Sequence, residues 1–495
     1  MHRTALFFLL PLAACNLKGR IEAEIEDRIE DELRDRLETV EPGAVGEIEE
    51  ETLGELFDPS GDIRPSDSEE EVEEEPVEPD TTFYGDLTLA DDAAVADFCT
   101  LYTNVDGDLS LSGDLVELER LDCLQAVSGS LTIDADGLTS TRGLHRLAFV
   151  GGDLVISGPA LTEVGGLDAL TEVSGSLRVT DAPHLARVGD LSTLAFVGGD
   201  LRIESLPALG ELGAFDQLLG VSGTLSLQGL PALTTAPSFP ALTGLNDLVV
   251  ADLSLACPDT PALLSATSIS LSGCGGSAVE LFPALESVAG DLSIEMGAGV
   301  TSLSLAPALQ ASGSVTIASA NVTAITGLES LSEVNGDLNL SYNLDLTALP
   351  AFKALTIVRG SLILQWNTDL TDISGLGSLE EVRGDLQIDH NRYLSGLDGL
   401  EQLRTINGSL ALTDLVRLTN LDPLDSLGLL GGSLTLSNNL ILSDVTALHD
   451  LPAVPGDFTV TQNGWLYTSE ATALRDAIGV SNIGGTVTIS GNAAG

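Results

Sequence analysis

GDLNLSYNLDL at 336–346, GSLILQWNTDL at 360–370 and GDLQIDHNRYL at 384–394 are three copies of one unit. Each reads V-x-G-[D/S/T]-L-x-[I/L/V], then a polar turn, then L-x-x-L. Aligning the glycine position along the chain gives starts at 85, 107, 129, 152, 175, 199, 223, 246, 267, 290, 313, 336, 360, 384, 408, 432, 456 and 485. Asn246 and Thr267 replace the glycine in two copies but keep the D-L-x-V and S-I-x-L cores. A spacing that is mostly 22 to 24 residues and recurs this often marks a solenoid, in which each turn buries its apolar face only against its neighbours. Inside the turn, L-x-[I/L] is a short strand with two side chains inward. The second apolar group, as in Gly327-Leu328-x-x-Leu331-x-x-Val334, has the spacing of a turn or short helical piece that closes the coil. The expected fold is mainly β: a single long β-solenoid of about 18 turns, roughly 85 Å of strands stacked about 4.8 Å apart.

Two columns support the stacking independently of hydrophobicity. The residue after the glycine position runs Asp86, Asp108, Ser130, Asp153, Ser176, Asp200, Thr224, Asp247, Ser268, Asp291, Ser314, Asp337, Ser361, Asp385, Ser409, Ser433, Asp457, Thr486. After Asp108 no two aspartates are neighbours. Like charges on adjacent turns would be destabilising, and a Ser or Thr between them can hydrogen-bond. One carboxylate per level is too few for a dedicated calcium site, so no metal is expected. The other column holds Asp92, Asp114 and Asp136 early, then Asn343, Asn367, Asn391, Asn439, Asn463 and Asn492 late. Asx side chains bond local backbone at turns, so an internal ladder is expected.

Immediately before three of these asparagines stand Tyr342, Trp366 and His390, at one offset in consecutive turns. Aromatics make up only 4% of the chain, so three in register stand out. Tyr and Trp platforms suit sugar rings or protein partners. The competing reading is that the rings cover the end of the apolar core.

The flanks are different in kind. In MHRTALFFLLPLAAC, Arg3 supplies a positive start, Ala5 to Leu12 an apolar stretch too short to span a bilayer, and Ala13-Ala14 the small residues before a cut. Leu12-Ala13-Ala14-Cys15 resembles the lipobox of bacterial lipoproteins, which implies removal of 1–14 and lipid on Cys15. Asn16 is not the aspartate that family associates with inner-membrane retention, so outer-membrane or surface placement is implied. In 15–40, Ile21, Ile25, Ile29, Leu33 and Leu37 form a narrow apolar stripe on a short helical stalk. Residues 41–82 are acidic and proline-containing, a disordered spacer. The solenoid is assigned 83–495. From about 466 a cap is expected, because TSEATALRDAIGV at 468–480 breaks the repeat with a helical pattern.

The formal net charge of −55 argues against nucleic acid as a partner. Of five cysteines, lipidation of Cys15 leaves four. An exported protein can pair them. Sequence permits three pairings, and the repeat register favours Cys99–Cys123 with Cys257–Cys274. No two cysteines have zinc-binding spacing.

The V-x-G-D-L-x-I-x-x-N-x-x-L cores, such as Val334 to Leu346 and Val382 to Leu394, resemble the receptor L-domain family of leucine-rich-repeat-like solenoids. The resemblance spans most of 84–495. It departs in length, since family modules have a handful of turns, and in lacking a cysteine-rich module. It implies ligand binding without catalysis and without a cofactor. The chain has no H-E-x-x-H, G-x-S-x-G or P-loop. The expectation is therefore a lipid-anchored surface recognition or adhesion protein, touching the membrane through its anchor and a glycan or protein through the solenoid. A purely structural envelope component is the alternative, and a solenoid enzyme acting on polysaccharide is a weaker one.

Overall fold

The computed structural model of the protein describes residues 81–494 except 190, 254–256, 298 and 320. The expected signal peptide, lipidated Cys15, helical stalk and the acidic linker up to residue 80 lie outside the described residues. From Leu87–Leu89 to Val487–Ser490, eighteen parallel strands stack in chain order, each inner one paired with the copy before and the copy after. The register sets like on like: Leu362 opposite Leu386, Leu386 opposite Leu410, and Leu410 opposite Leu434. The inward residues of these strands and the L-x-x-L leucines form one continuous buried core.

The glycine column explains how each turn bends. A strand of two residues, such as Glu381–Val382, precedes the glycine, and the longer strand Leu386–Asp389 follows it. Gly360 and Gly408 donate their N–H to Gly336 and Gly384, at 2.8 and 3.0 Å. A Cβ on Gly408 would fall within 3.0 Å of the Gly384 carbonyl and of Asp385 Oδ1. A side chain therefore does not fit. In three consecutive turns the two strands run together as Gly220–Leu230, Gly244–Leu253 and Ser265–Ser272; the glycine is replaced by Asn246 and Thr267 in the last two, while the first keeps Gly223.

The Asp/Ser column stacks as expected but bonds differently. In most turns the side chain accepts the backbone N–H of the column residue one turn later: Asp337 from Ser361 (2.6 Å), Ser361 from Asp385 (3.1 Å), Asp385 from Ser409 (2.7 Å). The side chains thus cap N–H groups that the bend leaves free. A direct side-chain bond joins Ser268 to Asp247, at 2.5 Å. The Thr224 N–H, aided by the Arg202 guanidinium, holds the Asp200 carboxyl below its ordinary value.

The asparagine ladder forms in the late turns. Asn343, Asn367, Asn391, Asn439 and Asn463 are fully buried. Asn343 and Asn367 donate their backbone N–H to Asn367 Oδ1 and Asn391 Oδ1, both at 2.9 Å. Asn391 Nδ2 donates to the Leu364 carbonyl at 2.8 Å, and Asn463 Nδ2 to that of Leu436 at 2.9 Å. The early aspartates do not join it. Asp114 and Asp136 are exposed, and Asp92 sits in the first turn of a helix. A carboxylate has no donor for the strand carbonyl and is costly to bury, so these turns rotate it outward.

Both ends carry a helix. Helix α1, Asp92–Phe98, is capped by Asp91, which accepts the Ala94 N–H at 2.8 Å, and it buries Val95 and Phe98. Helix α2, Thr468–Ile478, buries Ala471, Leu474 and Ile478 where the cap is expected, and ends at Gly479 with φ 86°. Cys99 is joined to Cys123 and Cys257 to Cys274, with Cα atoms 5.6 and 5.0 Å apart. The closing side of the coil is a 3-10 turn in some copies, such as Ser374–Leu376 and Asp422–Leu424. In the middle it is instead a strand, as at Ala278–Leu281, Ser302–Leu305 and Ala324–Gly327, where the sequence alternates.

Candidate functional site

Tyr342, Trp366 and His390 occupy the residue between the outer strand and the buried asparagine, and all three have left-handed backbone: φ is 64°, 59° and 55°. The sharp reversal that drives the asparagine inward requires this conformation. The same position in other turns is filled by Asp181, Ser205, Gly229, Asp252, Asp414, Asn438 and Gln462, all at positive φ. Glycine, asparagine and aspartate tolerate it best, while bulky residues are outliers. Each backbone N–H still pairs: Tyr342 donates to the Gln365 carbonyl (2.8 Å), Trp366 to Asp389 (3.1 Å) and His390 to Thr413 (3.2 Å).

The reversal turns the rings outward, away from the core. Tyr342 is 57% exposed and Trp366 36%. Trp366 and His390 stack face to face, with centroids 3.9 Å apart and planes inclined by 17°. Tyr342 stands one level before this pair and remains outside it. The rings therefore do not close the end of the leucine core, which the asparagine ladder and the L-x-x-L residues already enclose.

Polar groups flank the pair. On the outer strand face, Gln365 Nε2 donates to Gln387 Oε1 at 3.1 Å, and Gln387 Nε2 reaches Asp385 Oδ2 at 3.4 Å. Asp389 Oδ1 lies 2.6 Å from His390 Nδ1 and also accepts the Thr413 hydroxyl. Asp414 holds the position that follows His390 in the column, with its Oδ2 3.8 Å from His390 Nε2. Asn438 Nδ2 donates to Asp414 Oδ1. Beyond the ladder, the Arg417 guanidinium lies 4.4 Å over the Tyr393 ring, which is 44% exposed.

Sequence reasoning found the ring column but missed the carboxylates around it. Asp389 belongs to the strand and Asp414 to the ring column, so only the fold shows that both face one imidazole. The available signal was the Asp389-His390 dipeptide followed by Asp414 at the offset of His390, one period of 24 residues later.

A family description, the receptor L domain, matches residues 356–447. Trp366, His390, Asp414, Tyr393 and Arg417 fall inside the match and Tyr342 outside it. No curated protein and no solved structure matches the chain. The two disulfides accord with a protein that is exported or extracellular.

Proposed function

We propose that the chain is an exported, lipid-anchored recognition protein of the cell surface, and that Trp366 and His390, with Tyr342 beside them, form its ligand platform. One observation carries this reading. Bulky rings stand exposed at backbone positions where glycine, asparagine or aspartate is the low-energy choice, and strain of this kind collects at functional sites. The match to the receptor L domain, a ligand-binding and non-enzymatic module, agrees with it. An aromatic face bordered by Gln365, Gln387 and Asp389 suits a glycan, whose rings stack while its hydroxyls bond to amides and carboxylates. The anchor at Cys15 rests on the lipobox resemblance and the acidic stretch after it, which would hold the solenoid away from the membrane.

The test is binding of the purified chain to an array of glycans and cell-envelope material, beside Trp366→Asn. Asparagine keeps a residue that accepts the left-handed backbone. Saturable binding by the chain, reduced at least about tenfold in the variant, is expected. Absence of binding by both, with an intact β-rich spectrum, would retire the platform in favour of a structural envelope role.

A further inference from the structure

The edge of the platform also has the makings of a metal site. Asp389 ends the strand Leu386–Asp389, His390 makes the reversal, and Asp414 makes the same reversal one turn later. One potential ligand atom from each of the three lies within 4.8 Å of the others. The imidazole plane is fixed by its stack on Trp366. With the ring proton on Nδ1, Asp389 Oδ1 accepts its hydrogen bond at 2.6 Å, and the lone pair of Nε2 is directed at Asp414. The 3.8 Å between Nε2 and Asp414 Oδ2 is too long for a hydrogen bond. It is close to the separation of two ligand atoms that each sit about 2.1 Å from a shared ion.

We propose that His390 Nε2 and Asp414 bind one divalent transition-metal ion of the zinc type, with Asp389 as the outer carboxylate that orients the imidazole. A carboxylate holding the far nitrogen of a metal-bound histidine is the usual support of such ligands. An imidazole with carboxylate oxygen favours zinc and its neighbours over calcium or magnesium, which take oxygen alone. Asn438 Nδ2 bonds the other oxygen of Asp414 and holds Oδ2 toward the ring. The remaining coordination positions face solvent and would be filled by water or by an oxygen of a ligand lying on Trp366. The ion site stands on its own geometry, whether or not the platform binds a glycan.

The test is titration of zinc chloride into the full chain after chelation, followed by calorimetry, with Asp134→Asn as a control for the general negative charge. Asp134 is exposed on another turn. One stoichiometric event is expected in the chain and in Asp134→Asn. It should vanish in His390→Asn and Asp414→Asn and weaken about tenfold in Asp389→Asn. Because a variant can misfold, Co2+ is also added to the unaltered chain, where visible d–d bands report nitrogen and oxygen ligation. Equal zinc binding by the chain and His390→Asn, or a chain that gives neither the stoichiometric event nor the cobalt bands, overturns the site.

Discussion

The left-handed residue that most turns carry is where the backbone makes its demand and the side chain answers. For L-residues this conformation costs about 1–2 kcal/mol, and the chain meets it with Asp181, Ser205, Asp252 and Asn438 as well as with Tyr342, Trp366 and His390. One residue later the asparagine ladder works in the opposite sense. Its amides replace, inside an apolar core, the partners that the reversal removes from the backbone. Asn391→Ala would leave the Asn367 N–H and the Leu364 carbonyl unpaired. Denaturant melts should show about 1–3 kcal/mol less stability, and an unchanged midpoint would contradict the structural role. This ladder was legible in the sequence because Asn343, Asn367 and Asn391 recur at one period. The early aspartates misled, because an alignment column does not reveal that a charge is turned outward while an amide is turned in. The pairing of Trp366 with His390, leaving Tyr342 apart, was equally hidden, since it depends on ring orientation.

Strands and bends follow from the glycine column and from leucine alternation, and both were readable. What sequence could not give was the reason for the glycine. It is required by the neighbouring turn, whose carbonyl and Asp or Ser side chain fill the place of a Cβ. Gly408→Ala should therefore lower stability by about 1–3 kcal/mol, measured by thermal or denaturant melting. Adding Asp385→Ala should not restore it, because the Gly384 carbonyl still obstructs. Recovery in the double variant would place the obstruction in the side chain alone. Where Asn246 and Thr267 replace the glycine the strands run unbroken for 10 and 8 residues, and the preceding turn does the same over 11 residues while keeping Gly223, so the glycine permits the bend without imposing it. The closing side of the coil was read only as turns or helical pieces, because the alternation in Ser302–Leu305 is too short to separate strand from turn by periodicity.

At the scale of the whole solenoid, both ends of the core must be kept from water and from other chains. Helix α2 was legible because TSEATALRDAIGV interrupts the repeat over enough residues to show its period. Helix α1 was not, since Asp92–Phe98 is only 7 residues long. Leu474, on the inner face of α2, is fully buried. Leu474→Ala should cost about 2–5 kcal/mol and raise light scattering as the end of the stack is uncovered. A stable, monodisperse variant would show that α2 is not the closure. The candidate site was legible only in part, since Trp366, His390 and Asp414 come from three consecutive turns and its carboxylates occupy different columns.

Most ladder bonds that hold the turns together span 22 to 24 residues, as in Asp108 to Asp86 and Asn343 to Asn367, and the last turn is joined across 29. Among the described residues they tie each turn only to its neighbours, so the entropy of closing a loop is met once per turn and never for the whole chain. Folding can then start in any few turns and spread by templating, with a barrier that does not grow with the number of turns. A chain that leaves a translocation pore N-terminus first would complete helix α1 and the Cys99–Cys123 turn early, and each later turn would find a finished edge waiting for it.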